Sequence, residues 1–431
     1  MKLSLISPSR NNLKYLRWSY ASVRKNCSPD VEYCVAVDFS NDGTEEWCKE
    51  ISEKDPNFKY IVRHQKKRWG HTIWYDILIE EAATGDVIMI WHADMYATPK
   101  MDERLLSEIK RGQVVSLTRV EPPLHPPGAE KLVMDFGTEP EDFDEERFLE
   151  YNKQAMVQYR DTKKRGIFAP WAIFRDDFLT IGGHDPLFAP QSREDSDIFN
   201  RFILAGYETI QLFDTFVYHL TCRGSRFAGL DLDKEVANAK QHGPGWVIFP
   251  SEEWAIHNRR SERNFIRKWG HMVKTDIELK PIIPSKYNIS FWVDNCNLQV
   301  LYVIEPWCTR VFVGKNFKVG EGDFRDSYIK SEQSNTKFDL TQRVLNQYTL
   351  NDMNLDVLVT FDANLLTNEN FRFITQLSEV LAQSGSVGEF THDIFKIQIF
   401  MLKTYEQELI NLEKIAKEEA INAYIKNDNL P

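Results

Sequence analysis

Between Lys2 and Trp91, short apolar runs alternate with stretches of helical period. Lys2–Ile6, Glu32–Val37, Tyr60–Arg63 and Val87–Trp91 read as strands. Asn11–Lys25, with Leu13, Leu16, Tyr20 and Val23 on one face, reads as a helix, as do a segment opening at Thr44-Glu45-Glu46 and His71–Ala83. Strand–helix alternation predicts an α/β fold: a Rossmann-like, mostly parallel sheet with helices on both faces. In such sheets ligands gather at the carboxyl ends of the strands. Ser7-Pro8-Ser9, Asp38 and His92-Ala93-Asp94 each follow a strand, so all fall at that edge.

With 431 residues the chain has room for two or three domains. Hydrophobic and charged fractions of 42% and 27% are those of a globular chain. The formal net charge of -11 argues against general nucleic-acid binding, which needs cations to displace counterions from phosphates. The six cysteines form no C-x-x-C pair, which predicts reduced thiols and a cytoplasmic protein. No run approaches the ~18 apolar residues of a membrane span. Met1–Ile6, stopped by Pro8 and Arg10, reads as a buried strand rather than a signal peptide.

Residues 119–165 are less regular, with Pro122-Pro123, Pro126-Pro127 and an acidic stretch from Glu139 to Glu146. They read equally as a lid or acceptor loop and as a solvated insertion. The strand pattern restarts after Lys280-Pro281-Ile282-Ile283-Pro284, at Ile289–Val293, Val300–Ile304, Arg310–Val313, Leu355–Phe361 and Lys396–Leu402. This predicts a first domain over 1–275 and a smaller α/β domain over 280–431. Tyr405–Asn427 carries apolar residues at helical spacing, an amphipathic helix for packing on its own domain or forming a homo-oligomer.

A carboxylate just past a buried strand, as at Asp94, is placed to hold Mg²⁺ or Mn²⁺ against a diphosphate, since these cations favour oxygen ligands. His92, two residues earlier, faces the same side of an extended chain. Glu194-Asp195 opens a helix, where carboxylates also suit the helix dipole. His219 ends the strand Phe213–Tyr218 and is followed by Arg223 and Arg226, a metal ligand with phosphate clamps. Trp171 and Trp246 offer faces for sugar rings or for a core, and His184-Asp185 lies close enough in sequence to Asp195 to touch an acceptor. Lys66-Lys67-Arg68 reads as a solvated run or a phosphate contact.

In this order, Ser7-Pro8-Ser9-Arg10-Asn11, Val37-Asp38, Asn41-Asp42-Gly43-Thr44, Arg68-Trp69-Gly70, Ala83-Thr84-Gly85-Asp86 leading to Asp94, and Arg175–Phe188 ahead of Glu194-Asp195 resemble the GT-A nucleotide-sugar glycosyltransferases of the family-2-like group, over roughly residues 1–230. The resemblance implies a metal-dependent enzyme that passes a sugar from a nucleotide donor to a glycan or other hydroxyl acceptor. By it, Pro8, Arg10, Asp38 and Arg68 line the donor pocket, with Arg223 and Arg226 assisting the leaving group. Asp94 and His219 bind Mn²⁺ or Mg²⁺. Asp195, beside Glu194, is the general base of an inverting reaction. Trp171, His184 and Asp185 remain acceptor-binding candidates. The chain departs from the family pattern at His92, which stands where the first Asp of the D-x-D motif falls and is expected to contact donor or metal. It departs again at Asp76, where the family has Asn. Two other readings stay open: a non-catalytic sugar-nucleotide or glycan-binding module, and a phage-type transferase acting on modified DNA bases. For 280–431 an accessory role is expected, since no glycine-rich loop follows Val300–Ile304.

Overall fold

A computed structural model describes residues 1–224, 250–313, 324–347 and 355–410, with single positions 231, 234, 237, 241 and 242. These fall into two compact units, one of Met1–Asn258 with Thr275–Pro281, the other of Arg259–Lys274 with the described part of Ile282–Asn411.

The first unit is built on a ten-stranded sheet. Its strands are β1 (Leu3–Ser9), β2 (Glu32–Val37), β3 (Phe58–Val62), β4 (Val87–Ile90), β5 (Met95–Ala97), β6 (Gln113–Glu121), β7 (Lys131–Val133), β8 (Lys163–Lys164), β9 (Trp171–Phe174) and β10 (Glu208–His219). The order is β3-β2-β1-β4-β9-β6-β10-β5, with β7 on β6 and β8 on β10. β3, β2, β1 and β4 run parallel, as does β10 with β6, while β9 enters antiparallel to both β4 and β6. The helices are α1 (Leu13–Asn26), α2 (Thr44–Lys54), α3 (His71–Glu81), α4 (Met101–Glu108), α5 (Glu145–Gln158), α6 (Arg175–Thr180), α7 (Glu194–Leu204) and α8 (Glu252–Trp269), whose last turns belong to the second unit.

Side-chain alternation explains the layers. Leu3 and Leu5, Tyr33 and Val35, and Val87 and Met89 point to a core shared with Leu16 and Val23 of α1, Trp47 of α2 and Leu105 of α4. Ile6, Cys34 and Ala36, and Ile88 and Ile90 point the other way, to Trp74 and Ile77 of α3, Phe178 of α6 and Phe202 of α7. Each strand is thus apolar on both faces, as a strand covered on both sides must be.

Residues 119–165 are more ordered than the sequence suggests. Tyr15, Lys14 and Arg223 all bind the Glu139 carboxylate, and Phe143 stacks among Trp18, Tyr96 and Tyr218. The acidic stretch is therefore pinned to α1 and β10 and does not form a free lid.

The second unit has a six-stranded sheet of β11 (Ile289–Asp294), β12 (Arg310–Val313), β13 (Val344–Asn346), β14 (Val357–Asp362), β15 (Gly388–His392) and β16 (Phe395–Ile399), ordered β13-β12-β11-β14-β16-β15. Its first four strands are parallel and β15–β16 form an antiparallel hairpin. Val300–Ile304, expected as a strand, lies in a helix, α9 (Leu298–Ile304). The Asn297 side chain accepts from the Val300 amide at 3.0 Å and so caps it, and Leu301 and Ile304, three apart, are the buried pair. Further helices are α10 (Phe324–Glu332), α11 (Leu340–Arg343), α12 (Phe371–Thr375) and α13 (Leu377–Ser384). Of the expected Tyr405–Asn427 helix, Glu406–Leu409 forms a short 3-10 turn and the rest lies outside the described residues. Among the described residues no helix is long and apolar enough to cross a membrane, and all six cysteines are free thiols.

Candidate active site

Several strand ends of the first unit open into one cleft of about 620 Å³, whose walls include Pro8, Arg10, Asp38, Arg68, His92, Asp94, Glu194, Asp195 and His219. The sheet itself brings the distant members together. β5 follows directly after Asp94 and pairs antiparallel with the end of β10, His219 opposite Met95, and the Leu220 amide donates to the Asp94 carbonyl at 3.1 Å. His92, Asp94 and His219 thereby each present a ligand atom, all within 4.8 Å of one another. Two imidazoles and one carboxylate form a mixed nitrogen/oxygen donor set, which fits a divalent transition-metal cation such as Mn²⁺ better than Mg²⁺ with its preference for oxygen.

The residue that aims His219 was not evident from the sequence. Glu121, at the end of β6, accepts from His219 Nδ1 at 2.7 Å, which turns Nε2 toward Asp94, 3.4 Å away. Lys131 Nζ at 2.8 Å and Arg119 Nε at 3.2 Å hold Glu121 in turn. A carboxylate behind a histidine fixes its tautomer and raises its basicity as a metal ligand. Burial pulls the His219 imidazole down, but Asp94 and Glu121 outweigh it and lift its pKa to about 9. Burial and the neighbouring His219 push His92 down to about 3. Burial alone would raise the Asp94 carboxyl; His219 outweighs it and holds the group below its usual range.

The same cleft is lined by the start of α7, whose two carboxylates are in different states. Glu194 Oε1 lies 2.7 Å from His71 Nε2, at the start of α3. Burial opposes ionisation of Glu194, yet His71 outweighs it and keeps the carboxyl below its usual range. For Asp195 the lowering influence of His184, His71 and the Trp171 side chain is smaller than the raising ones. Burial first, and then the adjacent Glu194 charge, push it up to about 6. Ser192 and Arg193, just before, both adopt positive φ, 79° and 71°, a conformation that costs energy in non-glycine residues.

The donor-side candidates line the cleft, but part of their bonding capacity is used within the chain. Asp38 accepts from the Trp69 and Gly70 amides at 2.9 Å and from Gln65 Nε2 at 3.0 Å, so it anchors the 65–70 loop. Gly70 is required there: φ is +83°, and a Cβ would sit 2.0 Å from the Pro190 carbonyl oxygen. Arg68 donates to Glu253 at 3.0 Å and to Gln191, and Arg10 lies 3.9 Å from the same Glu253. Lys66 and Lys67 are exposed.

Burial changes three expectations, those for Trp171, the His184-Asp185 pair and Arg223. Trp171 is fully buried against Phe178, Phe199 and Phe202, so it has no face for a sugar. His184 is buried with Nδ1 2.7 Å from Asp76, and the Asp185 side chain caps the Leu187 amide at 3.0 Å; both serve the floor beneath the cleft rather than an acceptor. Arg223 is buried, with its guanidinium on the Thr138 carbonyl and, at 2.9 Å, on Glu139, so it does not clamp a leaving group. Arg226 and Trp246 lie outside the described residues.

The carboxyl edge of this sheet thus carries the His92–Asp94–His219 cluster in one cleft with Glu194 and Asp195. Residues 4–180 match the profile of glycosyl transferase family 2. The match spans less than half of the chain. No curated protein matches the chain in sequence. Similar solved structures include GalNAc-T7 with UDP, GalNAc and Mn²⁺, at 16% identity, 51% of this chain, 44% of that chain and TM-score 0.39. Another is the mannosyltransferase PcManGT from Pyrobaculum calidifontis in complex with GDP-Man and Mn²⁺, at 16% identity, 56% of this chain, 65% of that chain and TM-score 0.37. A third is S. aureus TarS, at 16% identity, 51% of this chain, 36% of that chain and TM-score 0.37. The chain thus spans less than two thirds of each of these three proteins.

Proposed function

We propose that this chain is a metal-dependent glycosyltransferase that moves a sugar from a nucleotide-sugar donor to a hydroxyl acceptor with inversion. One observation carries the reading: a single cleft is lined both by the His92–Asp94–His219 cluster and by a carboxylate with raised proton affinity, Asp195. Held by that cluster, Mn²⁺ or Mg²⁺ would supply charge neutralisation for a departing diphosphate. Asp195, with a pKa near 6, is ionised at neutral pH yet basic enough to take the proton of an acceptor hydroxyl as it attacks the anomeric carbon. Glu194, held by His71, keeps a negative charge beside Asp195 and so maintains that basicity. Glu121 orients His219, and Arg10 and Arg68 provide cationic groups for the donor. Residues 1–275 are assigned to transfer and 280–431 to an accessory role. The free thiols support a reducing, cytoplasmic setting.

The test is a screen of UDP-, GDP-, CMP- and TDP-sugars with Mn²⁺ or Mg²⁺, following nucleotide release, with Asp94→Ala as control. Metal-dependent release that disappears in Asp94→Ala is expected. Absence of binding to every donor would reject the reading.

A further inference from the structure

The second unit has a cavity of its own, about 650 Å³, between α12 and the β15–β16 hairpin. Its floor is a column of rings. Phe395 in the core stacks on Phe373 at 5.0 Å between centroids, and Phe373 stacks on His392 at 4.3 Å and 17°. Phe373 is nearly buried, and the exposed His392 imidazole closes the column toward solvent. Around it stand Glu369, Arg372, Gln376 and Asp393, all exposed. None of these four side chains makes a hydrogen bond or ion pair with another described residue, although charges elsewhere in this unit are extensively paired, as in the Arg267–Glu305–Arg343 cluster. A concave surface with an aromatic floor and a few convergent, unengaged polar groups is the usual composition of a ligand site.

The chemistry of the rim narrows the ligand. Two carboxylates against one guanidinium disfavour a phosphorylated or otherwise anionic ligand. Arg372 disfavours a cation, and a purely apolar ligand would strip water from all three charges without replacing it. A neutral polyhydroxylated ring meets every condition: its hydroxyls donate to Glu369 and Asp393, accept from Arg372 and Gln376, and its C–H face lies on the ring column. We propose that this cavity is a carbohydrate-binding site, separate from the transfer cleft and recognising a neutral glycan.

The site is tested with the full chain by affinity electrophoresis through gels containing neutral soluble polysaccharides (mannan, dextran, galactan, xylan), with Kd taken from the retardation. Retardation in at least one gel is expected, with Kd raised at least tenfold by His392→Ala and by Arg372→Ala/Asp393→Ala, and only partly raised by His392→Phe, which keeps the ring. Circular dichroism of the exposed-site variants should be unchanged. The proposal is overturned by no retardation in any gel, by equal retardation of wild type and variants, or by binding lost instead in Asp94→Ala, which would place the glycan in the transfer cleft. A nucleotide screen that fails while retardation persists would reject the transferase reading alone.

Discussion

Replacing Asp195 by Asn should do two opposite things at once. The carboxyl titrates near 6 in the folded chain against an ordinary 3.8, a gap of about two units. At ~1.4 kcal/mol per unit this is a ceiling of ~3 kcal/mol, and the partial opening of Asp195 to the cleft reduces it to about 1–2 kcal/mol. The sign follows from proton counting. Between about pH 4 and pH 6 the folded state binds more protons than the unfolded one, so stability falls as pH rises through that window. Above it the penalty is fully present. Asn carries no charge, so Asp195→Asn should be more stable than the parent by about 1–2 kcal/mol at pH 8 and indistinguishable from it at pH 3.5. The same change removes the proposed base and should cut transfer by roughly 10²–10⁴-fold. Urea unfolding at the two pH values, paired with nucleotide-release assays, reads both effects. Full turnover in Asp195→Asn, or no gain in stability at pH 8, would refute the assignment of a strained, basic carboxylate.

Glu121→Gln should leave the fold intact but weaken Mn²⁺ affinity about 10–100-fold, measured by calorimetry, because His219 loses the group that orients it. Asp76→Ala strands the His184 amide and imidazole in the core and should cost ~1–3 kcal/mol in urea unfolding. Gly70→Ala meets both a positive φ and the Pro190 carbonyl, so it should destabilise by at least ~2 kcal/mol and weaken nucleotide binding through the Asp38-anchored loop, read by thermal melting with and without nucleotide. Transfer should also fall below about pH 6 as Asp195 protonates, giving an acid limb in the pH–rate profile that Asp195→Asn lacks.

The parallel half of the sheet was legible because local signals agree: β2 and the starts of α2 and α3 fall where hydrophobic period and turn residues put them. Asp94 and His219 were also legible, since each sits just past or at a strand end. Glu121 obeys the same rule, but the strand that carries it ends against Pro122-Pro123, and that breaker hid its carboxyl end. Sequence proximity misled at His184-Asp185, and at Trp171 the core alternative is the one the fold takes. The chain near Asp195 passes under the cleft floor before it reaches the wall, and only tertiary packing shows which side of the floor a residue occupies. In the second unit, four apolar residues of Val300–Ile304 outweighed the single cap, Asn297, that marks a helix.

The direction of β1 has a practical consequence. Lys2 is tied at the amino edge of the sheet, its amide on Asp86 at 2.8 Å and its Nζ on Glu32 at 2.9 Å, while Ser9 and Arg10 end at the cleft. At ~3.3 Å per residue the two ends of this central strand lie roughly 20 Å apart across the sheet. A purification handle, fluorophore or resin linker fused ahead of Met1 therefore leaves the unit from the side away from the cleft. Immobilised by that end, the first unit would keep its cleft accessible to ligands in solution.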